Sequence, residues 1–267
     1  MKTKNITNPQ KTDLEWLNLL IECANEADNV ARFYFQKKSL SVKEKTDKTP
    51  VTEADTEIEK IIRKHVANIP NLGIYGEEFE KCDIKTPLKL IVDPIDGTSN
   101  FIRGIPIVGT LLAIEKDNHI IAGVVSNGIQ KERWHAAKNQ GAFFNNKPIS
   151  VSTINSLAES QAFHGSLYGQ EARGKLPILL NLLSQTKRQR GIGDFLIHTW
   201  VANGYGEIGI DFNLQPWDIA PLGLLVTEAG GTISQVNGNP FNIYEGSILS
   251  SNGRFHDDIV TLLNSTS

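Results

Sequence analysis

Cysteine is scarce: Cys23 and Cys82 are the only two in 267 residues, in neither metal nor redox spacing. That argues against a disulfide framework and for a reducing compartment, the cytoplasm. A long hydrophobic run is also missing. No stretch approaches the ~18–20 apolar residues that cross a bilayer, and the opening MKTKNITNPQKTDLEW has no apolar segment of the kind a secretory leader carries. Nor is charge of one sign in excess: 27 Lys and Arg stand against 30 Asp and Glu, a net charge of −3. Nothing electrostatic therefore recommends nucleic acid as a partner. Solenoid repeats and low-complexity linkers are absent. What remains is an ordinary soluble globule, 40 % hydrophobic and 21 % charged. It is long enough for one large domain, or two closely joined ones, with a sizeable core.

Apolar periodicity predicts the elements. Thr12 and Glu15 stand at capping-box spacing ahead of Leu17, Leu20, Ile21, Ala24, Ala27, Ala31 and Tyr34, a helix that fades near Lys37. The polar run KEKTDKTP follows. Thr52 then caps a second helix carrying Ile58, Ile61, Ile62, Val66 and Ile69, stopped by Pro70. From Leu88 the period becomes that of strands: LKLIV, then VGTLLAIEKDNHIIAGVVS as two strands joined at Lys116–Asn118, then ERWHAA, with a turn at Asn145–Asn146. Beyond Ser150 the pattern predicts helices at PILLNLLSQ and DFLIHTWVANGY, a strand at EIGIDF, and a helix at APLGLLVTEA closed by Gly230–Gly231. Strands at GTISQV and SILSSN and a helix at HDDIVTLLN end the chain. Helices and strands come in blocks, so an α+β layering of sheets with helix pairs fits better than a barrel. The chain reads as one compact domain, 1–267, dividing near Ser150 into 1–150 and 151–267.

The stretch DPIDGTSNF, residues 93–101, is not an ordinary strand end. It sets two carboxylates three residues apart after an apolar run, where like charges repel and unpaired burial is costly. A cation between them resolves the cost. Asp47, the pair Glu77–Glu78 and Asp218 are further candidates to share it. Each has an ordinary alternative: a solvated loop acid for Asp47, a surface turn for GEEF, a helix N-cap for Asp218. Every donor in the set is oxygen, with no His or Cys beside it, which selects Mg2+ or Mn2+ over zinc or copper. Gly97 permits a tight turn with open amides, and Thr98 and Ser99 add hydroxyls, together a seat for phosphate. These parts suit metal-assisted hydrolysis of a phosphate ester. A Ca2+ loop is the alternative, although the EF-hand spacing D-x-[DN]-x-[DN]-G is absent.

DPIDGTSNF resembles a signature of the inositol monophosphatase superfamily, and WDIAPLGLLVTEAGG (217–231) resembles its second signature, W-D-x-A followed by E-A-G-G. GEE falls between the second helix and the first motif, as in that family, and DKTPVTEAD (47–55) resembles a segment of several of its branches. The resemblance spans nearly the whole chain. It implies a layered αβαβα sandwich of the inositol monophosphatase / fructose-1,6-bisphosphatase type, commonly a homodimer, acting on a small phosphate ester with two or three Mg2+ per site, Mn2+ being a substitute. Position by position it implies Glu77, Asp93 and the Ile95 carbonyl for the first metal, and Asp93, Asp96 and Asp218 for the second. It implies that Gly97, Thr98 and Ser99 hold phosphate beside Asp96 and Asp218. It further implies that metal activates the water, that Thr98 orients it, and that Glu77 or Asp47 accepts its proton.

Three further segments resemble the histidinol-phosphatase branch: VGTLLAI with KERW, RGIGDF (190–195), and IDFNLQPWD (210–218), where Asp211 stands in place of a frequent Glu. Histidinol phosphate carries an ammonium and an imidazole, both of which reward nearby carboxylates. Asp194 and Asp211 are two such acids beyond the metal set, and Arg190 is placed to pair with phosphate or to fix them. Their ordinary alternatives are a helix cap for Asp194 and a surface strand position for Asp211. His198 reads as packed within a helix, and Trp217 as a packing residue or a platform for a substrate ring. The expected activity is L-histidinol-phosphate hydrolysis. The rivals are a phosphatase for inositol or sugar phosphates, and a non-catalytic regulatory binding protein. An intact acid set argues against the last, because retained like charges are costly without metals.

Overall fold

In a computed structural model of the chain, which describes residues 11–35, 37, 40–45, 49–82, 85–165, 167 and 170–265, Thr12 opens the fold. Its amide donates to the Glu15 carboxylate (2.7 Å), and the Glu15 amide donates to the Thr12 hydroxyl (3.2 Å). Helix α1 (Asp13–Phe35) follows, then a short hairpin, β1 (Val42–Glu44) and β2 (Pro50–Thr52), and α2 (Glu53–Val66). Thr52 and Asp55 cap α2 reciprocally: the Ala54 amide donates to the Thr52 hydroxyl and the Thr52 amide to the Asp55 carboxylate. Strands β3 (Gly73–Gly76) and β4 (Leu88–Asp96) lead to the one-turn helix α3 (Thr98–Ile102). A meander then runs through β5 (Gly109–Lys116), β6 (His119–Asn127), β7 (Glu132–Ala137), β8 (Ala142–Phe144) and β9 (Lys147–Ile149).

After a 3-10 turn at Leu157–Glu159 come β10 (Gln161–His164), α4 (Gln170–Ser184), β11 (Arg188–Gly191) and α5 (Leu196–Ala202). The chain closes with β12 (Ile208–Phe212), α6 (Pro216–Glu228), β13 (Thr232–Ser234), β14 (Ser247–Ser251) and α7 (His256–Asn264).

Among the described residues the larger sheet has seven strands in the order β3-β4-β5-β6-β7-β8-β9, and the smaller five in the order β11-β10-β12-β14-β13. Helices α1 and α2 pack together on one face of the larger sheet, around Leu20, Ile58, Ile62, Val92, Leu112 and Val124. On its other face lie α5 and α6, joined by Leu111, Trp134, Phe195 and Leu225. The same two helices meet the smaller sheet, whose far face is covered by α4 and α7 through Leu179, Ile210, Leu249 and Ile259. The layers are therefore αβαβα, an α+β sandwich. No helix among the described residues is long and apolar enough to cross a membrane.

Several element boundaries differ from expectation: α2 ends at Val66, short of Ile69, and α5 takes only Leu196–Ala202 of DFLIHTWVANGY. Helix α4 begins at Gln170, so Pro177 sits inside it rather than at its start. Helix α6 begins at Pro216, which places Asp218 inside its first turn and makes Gln215 the N-cap. Proline at the first helical position loses no intrahelical bond, so the Gln215-Pro216 step is a natural start. Strands β1, β2, β3, β10 and β11, three or four residues each, are too short to show a period.

Candidate active site

Strand β4 carries the first two acids, and its irregularity decides where they point. Asp93 pairs with Leu111 and Asp96 with Gly109, so three steps on β4 match two on β5. In a regular strand, residues three apart face opposite sides. One extra residue reverses that, and both carboxylates emerge on the same face. The Thr110 hydroxyl donates to the Pro94 carbonyl (2.8 Å) and holds the bulge. Gly97 then turns the chain at φ 85°, which a side chain tolerates poorly, and starts α3 with Thr98 and Ser99 as its first residues. A Cβ at Gly97 would also lie 2.8 Å from the Ile107 carbonyl. Ser99 is exposed. The Thr98 hydroxyl lies within donating distance of the Ile95 carbonyl (3.0 Å) and of the Asp55 carboxylate (3.2 Å).

Asp218 joins from α6, its carboxylate accepting the Gln215 amide (2.7 Å). Burial raises its carboxyl to about 7 against that bond, with the Glu77 charge adding to the rise. Asp93 is 2 % exposed, and its Oδ1 is buried with no hydrogen-bond partner among the described residues. Burial, then the charges of Glu77, Asp96 and Asp218, push its carboxyl well above the ordinary range. Asp96 is raised in the same way, by burial and then by Asp194 and Asp218, although its Oδ2 accepts the Phe195 amide at 2.7 Å. Such mutual elevation is the electrostatic mark of carboxylates crowded without a counter-charge.

Glu77 follows β3 and is turned toward Lys45, whose ammonium donates to Glu77 (2.7 Å) and Glu78 (2.8 Å). Burial opposes the Lys45 charge, but these two bonds outweigh it and raise its pKa above the ordinary value. Among the described residues no three Asp, Glu, His or Cys side chains are already gathered into a metal cage. Glu77 is instead held by Lys45, and Asp96 and Asp218 by the backbone amides of Phe195 and Gln215. Asp47 lies outside the described residues.

Asp194 and Asp211 stand beside this group. Asp194 is in the left-handed region, φ 61°, and does not cap α5: its carboxylate accepts the Asn100 side-chain amide at 2.7 Å, while Phe195 takes the N-cap position. Burial lifts it to about 6. Asp211 is 5 % exposed on β12, not a surface residue. Burial raises it to about 7, opposed by the Phe212 amide and assisted by the Asp194 and Asp218 charges. Arg190 lies exposed on β11 and donates to the Gln189 carbonyl, bonding neither acid among the described residues. His198 is buried with Nδ1 on the Ser250 hydroxyl (2.8 Å), and Trp217 packs against Tyr75, their ring centres 5.6 Å apart.

Sequence reasoning missed Asp55, fully buried and touching Thr98, although it closes the DKTPVTEAD segment that carries part of the resemblance. It also missed Asn100, whose carboxylate partner is remote in the chain. A cavity of about 920 Å3 lined by Glu115, Phe241 and Tyr244 lies apart from the acid cluster, so chemistry rather than concavity locates the site.

The family model described as "Inositol monophosphatase family" matches residues 13–267. The histidinol-phosphatase of Streptomyces coelicolor is 35 % identical over 261 residues, covering 94 % of this chain and 97 % of that protein. The histidinol-phosphatase of Mycobacterium tuberculosis is 36 % identical over 254 residues, covering 93 % and 97 %. The crystal structure of the extragenic suppressor protein suhB from Bartonella henselae superposes with a TM-score of 0.87 at 30 % identity, covering 94 % of this chain and 99 % of that one.

Proposed function

The chain belongs to the inositol monophosphatase family, as a phosphoric monoester hydrolase of its histidinol-phosphatase branch, and on that premise we propose that it hydrolyses L-histidinol phosphate to L-histidinol and phosphate. The observation that carries the substrate is the pair of the half-buried Asp194 and the buried Asp211, whose charges are felt by Asp96. A phosphate ester with only hydroxyls offers such acids neutral hydrogen bonds and leaves their charge uncompensated. An ammonium or imidazolium compensates them.

The donor set fits a hard divalent cation. It is all oxygen, its charges raise one another's pKa, and Asp93 Oδ1 is buried without a partner. Glu77, Asp93, the Ile95 carbonyl, Asp96 and Asp218 are the groups that would hold Mg2+, with Mn2+ as a substitute. When bound, the cations polarise the phosphate and offset the charge that gathers on its oxygens. Gly97, Thr98 and Ser99 present the amides of a helix start to the phosphate. The Thr98 hydroxyl orients the attacking water. The proton acceptor expected from the sequence is Glu77 or Asp47, but Glu77 is engaged by Lys45 and Asp47 lies outside the described residues. We propose Asp55 instead, which burial holds above the ordinary carboxylate pKa and which faces the Thr98 hydroxyl. A homodimer belongs to the same reading, and sedimentation of the purified protein tests it.

The experiment is complementation. A bacterial strain that requires histidine because it lacks histidinol-phosphatase should grow without histidine when it expresses this chain, and should not grow with Asp96→Asn. Soluble, abundant protein without growth would refute the substrate.

A further inference from the structure

Glu77 lies just beyond β3, in a segment of irregular chain, yet its position has to be reproducible if it is to hold a cation. Its amide donates to the Val92 carbonyl at 3.2 Å, which ties one residue. The next ones are tied from α2. Asp55 and Glu59 are one helical turn apart, so they share a face of α2, and both are fully buried. Asp55 meets Thr98. Glu59 meets the Glu77–Glu80 segment: its Oε2 accepts the Glu78 amide at 2.8 Å. Its Oε1 is held by Arg63, with Nη2 at 2.7 Å and Nε at 2.8 Å. Arg63 Nη2 also donates to the Glu80 carbonyl at 3.1 Å.

Gly76 completes the arrangement. A Cβ at that position would lie 2.1 Å from Glu59 Oε1, so the carboxylate occupies space that only glycine leaves open. Burying a carboxylate is costly unless it is paired and hydrogen-bonded. Here the pair is Arg63, and the remaining oxygen is spent on the backbone between the two acids that Lys45 bridges. Lys45 bonds Oε1 of each acid, and a divalent cation on Glu77 competes with that shared ammonium, so the two neighbouring acids need a hold on their backbone that does not depend on it. A charge-assisted bond to the Glu78 amide provides that hold.

We propose that Glu59, backed by Arg63, is a positioning residue that sets Glu77 for divalent-cation binding. The proposal rests on Glu77 as a ligand, taken from the functional reading above. It makes α2 the common reference for both the Thr98 hydroxyl and the Glu77 carboxylate, through Asp55 and Glu59 in turn.

The test is direct titration with Mn2+, followed by electron paramagnetic resonance, of the parent, Glu59→Gln, Gly76→Ala and Glu77→Gln, each checked for folding by circular dichroism. Glu59→Gln keeps the volume but loses the charge that holds Arg63 and strengthens the Glu78 bond. The Mn2+ dissociation constant should rise about tenfold in Glu59→Gln and in Gly76→Ala. In kinetics, the Mg2+ concentration for half-maximal rate should rise in parallel, while kcat at saturating Mg2+ stays within about threefold of the parent. If Glu59→Gln is folded and binds Mn2+ within twofold of the parent while Glu77→Gln binds it weakly, the positioning role is wrong and the ligand reading stands. If Glu77→Gln itself binds Mn2+ as the parent does, the ligand reading is wrong and this proposal goes with it. Should Gly76→Ala fail to fold, Arg63→Met takes its place, with the same tenfold weakening expected and unchanged affinity contradicting it.

Discussion

Asn100 and Asp194, ninety-four residues apart in the chain, are joined by a 2.7 Å hydrogen bond from the Asn100 side-chain amide to Asp194 Oδ2. Asn100 also donates to the Ile107 carbonyl (3.0 Å), so one amide ties the turn after α3 to the loop before α5. The turn proposed to seat phosphate thereby holds the acid proposed to meet the substrate's cationic end. Asp194→Asn should lower kcat/KM for histidinol phosphate far more than for p-nitrophenyl phosphate, because Gly97 and Thr98 are untouched. A charge-assisted hydrogen bond contributes about 1.5–3 kcal/mol, so the ratio of the two should fall roughly ten- to a hundredfold. Equal losses on both substrates would make Asp194 a structural residue.

Asp96 lies at the bulge of β4 and belongs to the set that would hold cation. Asp96→Asn preserves the volume and an acceptor for the Phe195 amide, so the fold should survive. Turnover at saturating Mg2+ should drop at least a thousandfold, roughly 4 kcal/mol of transition-state stabilisation. Phosphate release within a few-fold of the parent would contradict the assignment.

Thr98 stands between Asp55 and the Ile95 carbonyl. If it orients the water, Thr98→Ala should depress kcat much more than it raises KM, as expected for an interaction made in the transition state. Rapid-quench experiments should trap no phosphorylated protein. A phosphoenzyme would overturn direct attack by water.

Asp211 links function to stability. Its folded-state carboxyl sits at about 7, whereas an unfolded Asp titrates near 3.9. Folding therefore takes up a proton between about pH 4 and 7. The stability from this group is present below that window and is lost as pH rises through it. In EDTA, Asp211→Asn should raise Tm by roughly 8 °C near pH 8 and by only about a quarter of that near pH 4.5. Calorimetry at the two pH values checks this. An equal shift at both would place the effect in packing rather than in charge. The same variant should lose histidinol phosphate turnover.

Much of the proposed site was legible in the sequence because its residues are close in the chain. DPIDGTSNF puts two acids, a glycine turn and two hydroxyls within nine residues, and WD begins α6 where Asp218 can reach them. The β5–β6 hairpin was equally plain, since Asp117 and Asn118 both tolerate the left-handed turn they occupy. What sequence could not display was the work of contacts between remote residues. The bulge that turns Asp93 and Asp96 to one face is a register fact between β4 and β5. Asp55 faces Thr98 only once α2 packs beside α3, and the alternative of a helix cap for Asp194 falls because its left-handed backbone brings the carboxylate to Asn100. Nothing in the sequence marks Glu59, because its partners are the backbone of Glu78 and the missing side chain of Gly76.

The central claim is the substrate, and the most direct measurement is the steady-state kcat/KM of the purified parent protein with Mg2+ on L-histidinol phosphate and on inositol 1-phosphate. Two carboxylates that read the cationic groups should favour histidinol phosphate by at least about a hundredfold, or roughly 3 kcal/mol. Equal values, or a preference for inositol 1-phosphate, would contradict the account.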